Sequence, residues 1–277
     1  MNGSPGVRRL LLVLCLSFAM SAAAQWQRVA DGVDYQHIRR GSIDVHVARI
    51  DLAGGKVHVV ATREEDRALT VSDFAKKTGA LIAVNGDYFN EQMWPIGTSV
   101  GACGTWWRGV KVARNEGLVA FGNRRAEIQA NTQKTKRWMK AGVTGWPLLV
   151  SDCQVVEGLP GSDSFTRAPH PRTAVGLSAD GKTAYLLVAD GRREGTPAEH
   201  IVPVPGFTLP ELAKFMREEL GVCRAMNLDG GGSSAMWVRD AIVNHPSDGF
   251  ERQVGNHLAV VAARTDPGCG RSRKAKE

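Results

Sequence analysis

Past its first two dozen residues, this 277-residue chain has no apolar run long enough to cross a bilayer, which takes nearer ~20 residues as a helix. It has no Cys-x-x-Cys pair, so a zinc ribbon or a thioredoxin-type centre is disfavoured. It also lacks a basic stripe interleaved with aromatics, a repeat of fixed period and any low-complexity segment. Nucleic-acid tracking and solenoid architectures are disfavoured accordingly. The charge excess is modest, +7 from 35 basic and 28 acidic residues. Four of the positives fall in the final run 271–277 (RSRKAKE), which reads as a solvated tail rather than a nucleic-acid contact.

The one marked apolar run is Leu10–Met20, preceded by Arg8 and Arg9 and followed by Ser21 and three alanines. That order, basic then apolar then small, predicts a secretory leader at 1–24 cleaved after Ala24. Cys15 is a poor lipidation site, because the bulky Leu14 precedes it. The expected organisation is a leader, one domain from 25 to 267 and a basic tail from 268 to 277, with a periplasmic or secreted destination. Loss of Cys15 leaves Cys103, Cys153, Cys223 and Cys269. An even count in an exported chain suggests disulfides. Three connectivities are open, of which Cys103–Cys153 with Cys223–Cys269 is the one favoured here.

Short strands dominate the pattern. Ile43–Ile50 alternates, Leu118–Phe121 and Ala126–Ala130 suit a hairpin, and Thr173–Leu177 and Thr183–Val188 flank a Ser-Ala-Asp-Gly-Lys turn. Lys56–Ala61, Leu81–Val84, Ala225–Leu228, Ala235–Val238 and His257–Ala262 continue it. Two helices are expected: one capped by Thr70 and ended by Gly79, the other capped by Thr208, with Pro210 early and Gly221 as its stop. Both run into apolar strands that end in polar loops, which should bring those strand ends together in a sheet. Residues 90–114, with Trp94, Trp106 and Trp107, read as a long irregular excursion overhanging a site.

Three polar constellations close these strands. Asn85-Gly-Asp87 ends the first, with no returning strand to make it a plain hairpin turn. Pro171-Arg172 opens the second, a planar fork suited to phosphate or carboxylate, with Asp190 at the end of the hairpin partner as its expected neighbour. In the third, Asn227 and Asp229 share one strand face by period two. Gly230, Gly231 and Gly232 then offer close backbone approach and an anion cradle, followed by Ser233.

The segments VNGDYF (84–89), PRTAVG (171–176), LLVADGR (186–192) and NLDGGGSSAM (227–236), with Gly255-Asn256-His257 ahead of the last strand, together resemble the phosphodiester glycosidase family. That family has exported bacterial members linked to exopolysaccharides. The resemblance implies an α+β fold, a strongly curved mixed β-sheet with a few helices. It also implies hydrolysis of a sugar-1-phosphodiester at the anomeric carbon, releasing a sugar such as N-acetylglucosamine and leaving a phosphomonoester. A phosphorylated glycan or small sugar phosphodiester is the partner implied.

A phosphomonoester departs as a stable anion, so charge stabilisation matters more than strong acid catalysis. On that division Arg172 takes the phosphate, helped by the glycine amides and Ser233. Asp229 is base or nucleophile, and Asp190 is the second carboxylate. Asn85, Asp87 and Asn227 bind sugar hydroxyls or a water, with Asn256 and His257 assisting. No cofactor is required, although Asp87, Asp190 and Asp229 offer hard oxygens for Ca²⁺ or Mg²⁺. Two rivals stand beside this reading. One is a serine hydrolase built on Ser233, Asp248 and His257, which needs a helix after the serine. The other is a non-catalytic exopolysaccharide-binding or assembly protein.

Overall fold

A computed structural model describes residues 25–109, 116–130, 132–191 and 205–264. The proposed leader and basic tail lie outside the described residues. Among the described residues, eighteen strands form three sheets. The first, in spatial order, is β1 (Gln27–Ala30), β2 (Val33–Arg40), β3 (Ile43–Asp51), β14 (Thr183–Ala189), β13 (Arg172–Leu177), β15 (Arg224–Asn227), β11 (Leu148–Ser151) and β12 (Gln154–Val155). The second runs β7 (Gly104–Trp107), β6 (Ser99–Gly101), β10 (Ala141–Gly145), β8 (Gly117–Gly122) and β9 (Arg125–Gln129). The third runs β17 (Ala241–Ile242), β16 (Met236–Val238), β5 (Ile82–Asn85), β18 (His257–Ala262) and β4 (Val57–Ala61).

Every strand pairing among the described residues is antiparallel, and no sheet closes on itself. The single, strongly curved mixed sheet expected from the family resemblance is therefore replaced by three antiparallel sheets. Hairpins account for much of this, since β2–β3, β8–β9 and β13–β14 are sequence neighbours that pair directly. Of the expected excursion 90–114, the described part, 90–109, is less irregular than expected, because β6 and β7 make a hairpin there, and 110–114 lie outside the described residues.

Helix α1 (Val71–Thr78) forms where its cap permits. Thr70 accepts the Asp73 N–H at 3.1 Å, and Gly79 ends it in the left-handed region at φ 66°, where a side chain would be strained. Helix α2 (Asp163–Thr166) is a single turn. Helix α3 (Leu209–Glu218) starts with a full capping box between Thr208 and Glu211.

Period-two alternation assigns each strand face. In β5, Ile82 and Val84 face a central core shared with Ile50, Val119, Val143 and Val260, while Ala83 faces Phe74 of α1. In β3, Ala48 and Ile50 point to that same core, while Val45 and Val47 meet Leu212 and Met216 of α3. Each of the fully buried Val, Ile, Leu, Phe and Met side chains contributes about 1.5–3 kcal/mol, the alanines less. The two helices thus cover the outer faces of different sheets, and the sheets meet over the common core.

A disulfide joins Cys153 to Cys223, which overturns the favoured pairing. The antiparallel pairing of β11 with β15 is the reason. It carries the turn after β11 to the residue before β15, where the Cys153 N–H donates to the Cys223 carbonyl at 2.9 Å. The bridge spans 70 residues of sequence. Replacing both cysteines by serine should lower the unfolding free energy by about 2–4 kcal/mol, read from urea titration of the oxidised parent and the double variant. An unchanged midpoint would mean the sheet alone fixes this edge.

Candidate active site

The helix–strand units α1–β5 and α3–β15 do bring their strand ends together, but between sheets rather than within one. The Asp229 N–H donates to the Gly86 carbonyl at 3.0 Å, linking the residues just past β5 and β15. Asn85 ties the junction. It is fully buried, its Nδ2 donates to the Asp229 carbonyl at 2.7 Å, and its Oδ1 accepts the Thr173 hydroxyl at 2.8 Å and the Ala235 N–H at 3.3 Å. Asn256 does similar work from β18's entrance. Its Oδ1 accepts the Asp87 N–H at 2.6 Å, its carbonyl accepts the Gly86 N–H at 2.9 Å, and its Nδ2 donates to Ser99 at 2.8 Å. Asn85 and Asn256 therefore position other groups, where sugar contact had been expected of them.

Beside this junction lies a cavity of about 240 Å³ whose wall includes Asp87, Tyr88, Gly97, Glu116, Thr144 and Trp146. Asp87 is buried and its Oδ2 accepts the Gly97 N–H at 2.7 Å. Burial pushes its carboxyl well above the usual carboxylate range, and the charges of Asp229 and Glu116 add to the rise. Asn227 donates from Nδ2 to the Tyr88 hydroxyl at 2.7 Å and to the Trp146 carbonyl at 2.9 Å. Its buried Oδ1 has no hydrogen-bond partner among the described residues. Burial raises the Tyr88 phenol well above its ordinary value, so it stays a neutral donor and acceptor.

Asp229 is half-buried. Burial pushes its carboxyl up to about 6, against the opposing pull of the Ser233 hydroxyl, the Gly230 amide and the Arg252 charge. The glycine turn after it is closed rather than cradle-shaped. The Gly231 N–H donates to the Pro171 carbonyl at 3.0 Å, and the Gly230 amide serves Asp229 itself. A Cβ at Gly230 would sit 2.8 Å from that same Pro171 oxygen, which explains glycine there by close backbone approach.

Three expected site residues are turned elsewhere. Arg172 is buried, donating from Nε to the Phe207 carbonyl at 3.0 Å and from Nη2 to the Phe165 carbonyl at 2.6 Å, over the Phe165 ring. Asp190 follows β14 beside Arg172's strand as expected, but its carboxylate accepts from Asn244 Nδ2 at 3.1 Å and from the His245 N–H at 3.0 Å. His257 is fully buried, stacked on Phe74, with its ring bonded to Thr62 at 2.8 Å and to the Leu69 carbonyl at 3.1 Å. That ring cannot serve Ser233, whose hydroxyl is on Asp229, and strand β16 follows the serine where a nucleophile elbow needs a helix. The serine-hydrolase rival lacks its geometry. A shared metal site lacks its geometry too: among the described residues no group of three or more His, Cys, Asp or Glu side chains is arranged to hold an ion.

Arg252, Glu116, Thr144 and Trp146 were not anticipated. Arg252 stands in the loop before Gly255-Asn256, ion-paired with Asp248 beside Gly232; its proximity to that motif was the available signal. The other three come from β10 and its surroundings, a strand that short Gly- and Thr-containing sequence did not announce. Trp94, a candidate sugar platform, has Arg67 over one ring and Trp107 stacked with it at 4.5 Å.

Antiparallel sheets whose loop ends gather buried carboxyls, amides and a phenol round a small cavity define a small-ligand cleft with acid–base capacity. The family profile for phosphodiester glycosidases matches residues 78–261. The chain belongs to the phosphodiester glycosidase family. It is 27% identical over 227 residues to N-acetylglucosamine-1-phosphodiester alpha-N-acetylglucosaminidase of Mus musculus, covering 73% of this chain and 42% of the mouse protein. It is also 27% identical over 203 residues to an uncharacterized prophage-derived protein of Bacillus subtilis, covering 69% of this chain and 29% of that one. The chain thus spans well under half the length of these curated relatives. Among solved structures, the zebrafish N-acetylglucosamine-1-phosphodiester alpha-N-acetylglucosaminidase catalytic domain, auto-inhibited by its pro-peptide, superposes with a TM-score of 0.60 at 18% identity, over 87% of this chain and 84% of that one. A hypothetical protein from Synechocystis gives 0.60 at 14% identity, over 88% and 64%. At these identities the superpositions speak to fold alone.

Two variants separate scaffold from chemistry. Asn85→Ala strips partners from a buried carbonyl, a hydroxyl and an amide, and should cost about 3 kcal/mol of stability by chemical denaturation. Asp229→Asn should do the reverse. The folded carboxyl titrates near 6, above its unfolded value, so its stabilising contribution is complete below about pH 4 and lost as pH rises through 6. At pH 7 the neutral amide should therefore melt no lower than the parent, and a clearly lower Tm would show the carboxylate to be a structural anchor.

Proposed function

We propose that this protein is an exported hydrolase that cleaves a sugar-1-phosphodiester at the anomeric carbon, releasing a sugar such as N-acetylglucosamine and leaving a phosphomonoester. The observation that carries the proposal is a cavity lined by Asp87, whose carboxyl lies within electrostatic reach of Asp229, in a chain of this family. The sugar enters the cavity of Tyr88, Thr144 and Trp146. Asp87, whose carboxyl burial biases toward its protonated form, donates to a sugar hydroxyl, and Asn227 Oδ1 accepts from one. Asp229, half-buried and ionised above about pH 6, acts as base or nucleophile at the anomeric carbon. Arg252, whose charge reaches Asp229, stabilises the departing phosphate, the role first given to Arg172. Arg172 braces the turn from behind through the carbonyls at 165 and 207.

No metal is needed in this scheme, so turnover should survive a chelator. The Cys153–Cys223 bridge supports an oxidising, periplasmic or secreted setting. The partner is a phosphorylated glycan or a smaller sugar phosphodiester.

The test is incubation with an N-acetylglucosamine-1-phosphodiester and measurement of released sugar. Turnover should fall on the acid side with a midpoint near 6, as Asp229 takes up its proton. Asp229→Asn should lose about 10²–10⁴-fold in kcat, and Arg252→Gln should lower kcat with the fold intact. Tight binding without any release of sugar would favour the non-catalytic glycan-binding rival.

A further inference from the structure

On the far side of the second sheet lie two open cavities of about 460 and 550 Å³ that share Ala102 and Lys140 in their walls and so form one trough. Its rim is basic: Arg124 and Lys140 on one part, Lys136 and Arg137 on the other. All four are exposed. Lys136 is paired with Glu127 at 3.0 Å. Arg124, Arg137 and Lys140 make no ion pair among the described residues. Three cations without an ion-pair partner among the described residues, set round a concavity, raise the local concentration of anions, an effect that salt suppresses beyond a Debye length of about 8 Å at physiological ionic strength.

The trough is tied to the active site by the strands beneath it. Lys140 immediately precedes β10, and Thr144 near the end of β10 is in the wall of the catalytic cavity. Four residues of strand separate them by roughly 13 Å. Strand β6 runs between the same two places, with Ser99 bonded to Asn256 of the site and Ala102, just beyond its end, in the trough. A chain with its terminal sugar in the cavity could lay its next anionic groups along this rim.

We propose that this trough is a secondary binding site for the anionic backbone of a phosphate-bearing glycan, holding a chain whose end is presented to Asp229. The idea rests on the activity proposed above for the ligand's identity, while the trough's own binding does not need turnover. Binding energy gained there is uniform between ground and transition state, so it lowers KM for long substrates and leaves kcat unchanged. It also raises the effective concentration of the chain end at the cleft.

The test uses two measurements. In the first, Asp229→Asn protein is titrated with an oligosaccharide chain bearing sugar-1-phosphodiesters, with the same chain lacking phosphate, and with duplex DNA of equal phosphate count. The phosphorylated chain should bind tightest, more weakly at high salt. Adding Arg124→Gln, Arg137→Gln and Lys140→Gln should weaken it roughly tenfold or more, at ordinary values for partly exposed ion pairs. In the second, the same triple replacement in the catalytically intact protein should raise KM for the long chain and leave kcat/KM for a short sugar phosphodiester unaltered. Equal binding by the triple variant, or DNA bound as tightly as the glycan, would overturn the assignment. Salt-sensitive binding of the glycan by a protein that cleaves neither substrate would leave the trough standing and sink the catalytic proposal instead.

Discussion

The cleft depends on a buried amide. Asn85 closes β5 with both ends of its side chain engaged, and its partners come from two other segments: the hydroxyl of Thr173 in β13, and the carbonyl of Asp229 and N–H of Ala235 at either end of the glycine turn. Each segment belongs to a different piece of chain, so no local propensity could assemble them. An amide is suited to the post because it donates and accepts at once in a place with no room for water. A carboxylate there would bring a charge into an already acidic site, and an apolar side chain would leave a carbonyl and an N–H unsatisfied.

With the junction fixed, the neighbouring groups acquire their chemistry from depth. Asn256 and the Gly86 carbonyl hold the backbone at Asp87 and Asp229, one carboxyl buried against Gly97 and the other half-open beside Arg252. Because the sheets are antiparallel, the ends of β5 and β15 and the starts of β13 and β18 meet without crossover helices. The helices α1 and α3 are left free to cover outer faces. The architecture therefore separates its tasks: the outer faces supply stability and the strand ends supply the site.

Much of this was legible in the sequence because it is encoded locally. The caps at Thr70 and Thr208, the hairpins and the strand His257–Ala262 follow from side-chain hydrogen bonding and period-two alternation within a few residues. The motif residues from 85 to 87 and from 227 to 233 do meet. What the sequence could not reveal is direction. Arg172 reads as a phosphate fork, yet its head group is drawn back onto carbonyls supplied by residues 165 and 207, which no spacing advertises. His257 sits in a motif-like segment, but Asn85 and His257 are register partners on the face toward α1, and Phe74 covers the ring. The disulfide pairing was misjudged for the same reason, since it follows from which strand lies beside β11.

The two carboxyls illustrate how position, rather than residue type, divides labour. Asp87 and Asp229 are chemically identical and close enough for the charge of one to raise the pKa of the other. If both were equally exposed they would share a proton and neither would have a fixed role. Burial breaks that symmetry. Asp87 is enclosed, and burial holds its carboxyl well above the usual carboxylate range despite the backbone N–H groups of Gly97 and Tyr88. Asp229 receives the Ser233 hydroxyl, the Gly230 amide and the nearby Arg252 charge, all favouring its anion, and so ionises near 6. A carboxyl biased toward its neutral form and one that ionises near 6 then stand within electrostatic reach of each other, two different acid–base partners from one residue type. The glycine turn contributes by withholding side chains. Any residue larger than glycine at 230 would collide with the Pro171 carbonyl and push Asp229, with its donors, out of that balance.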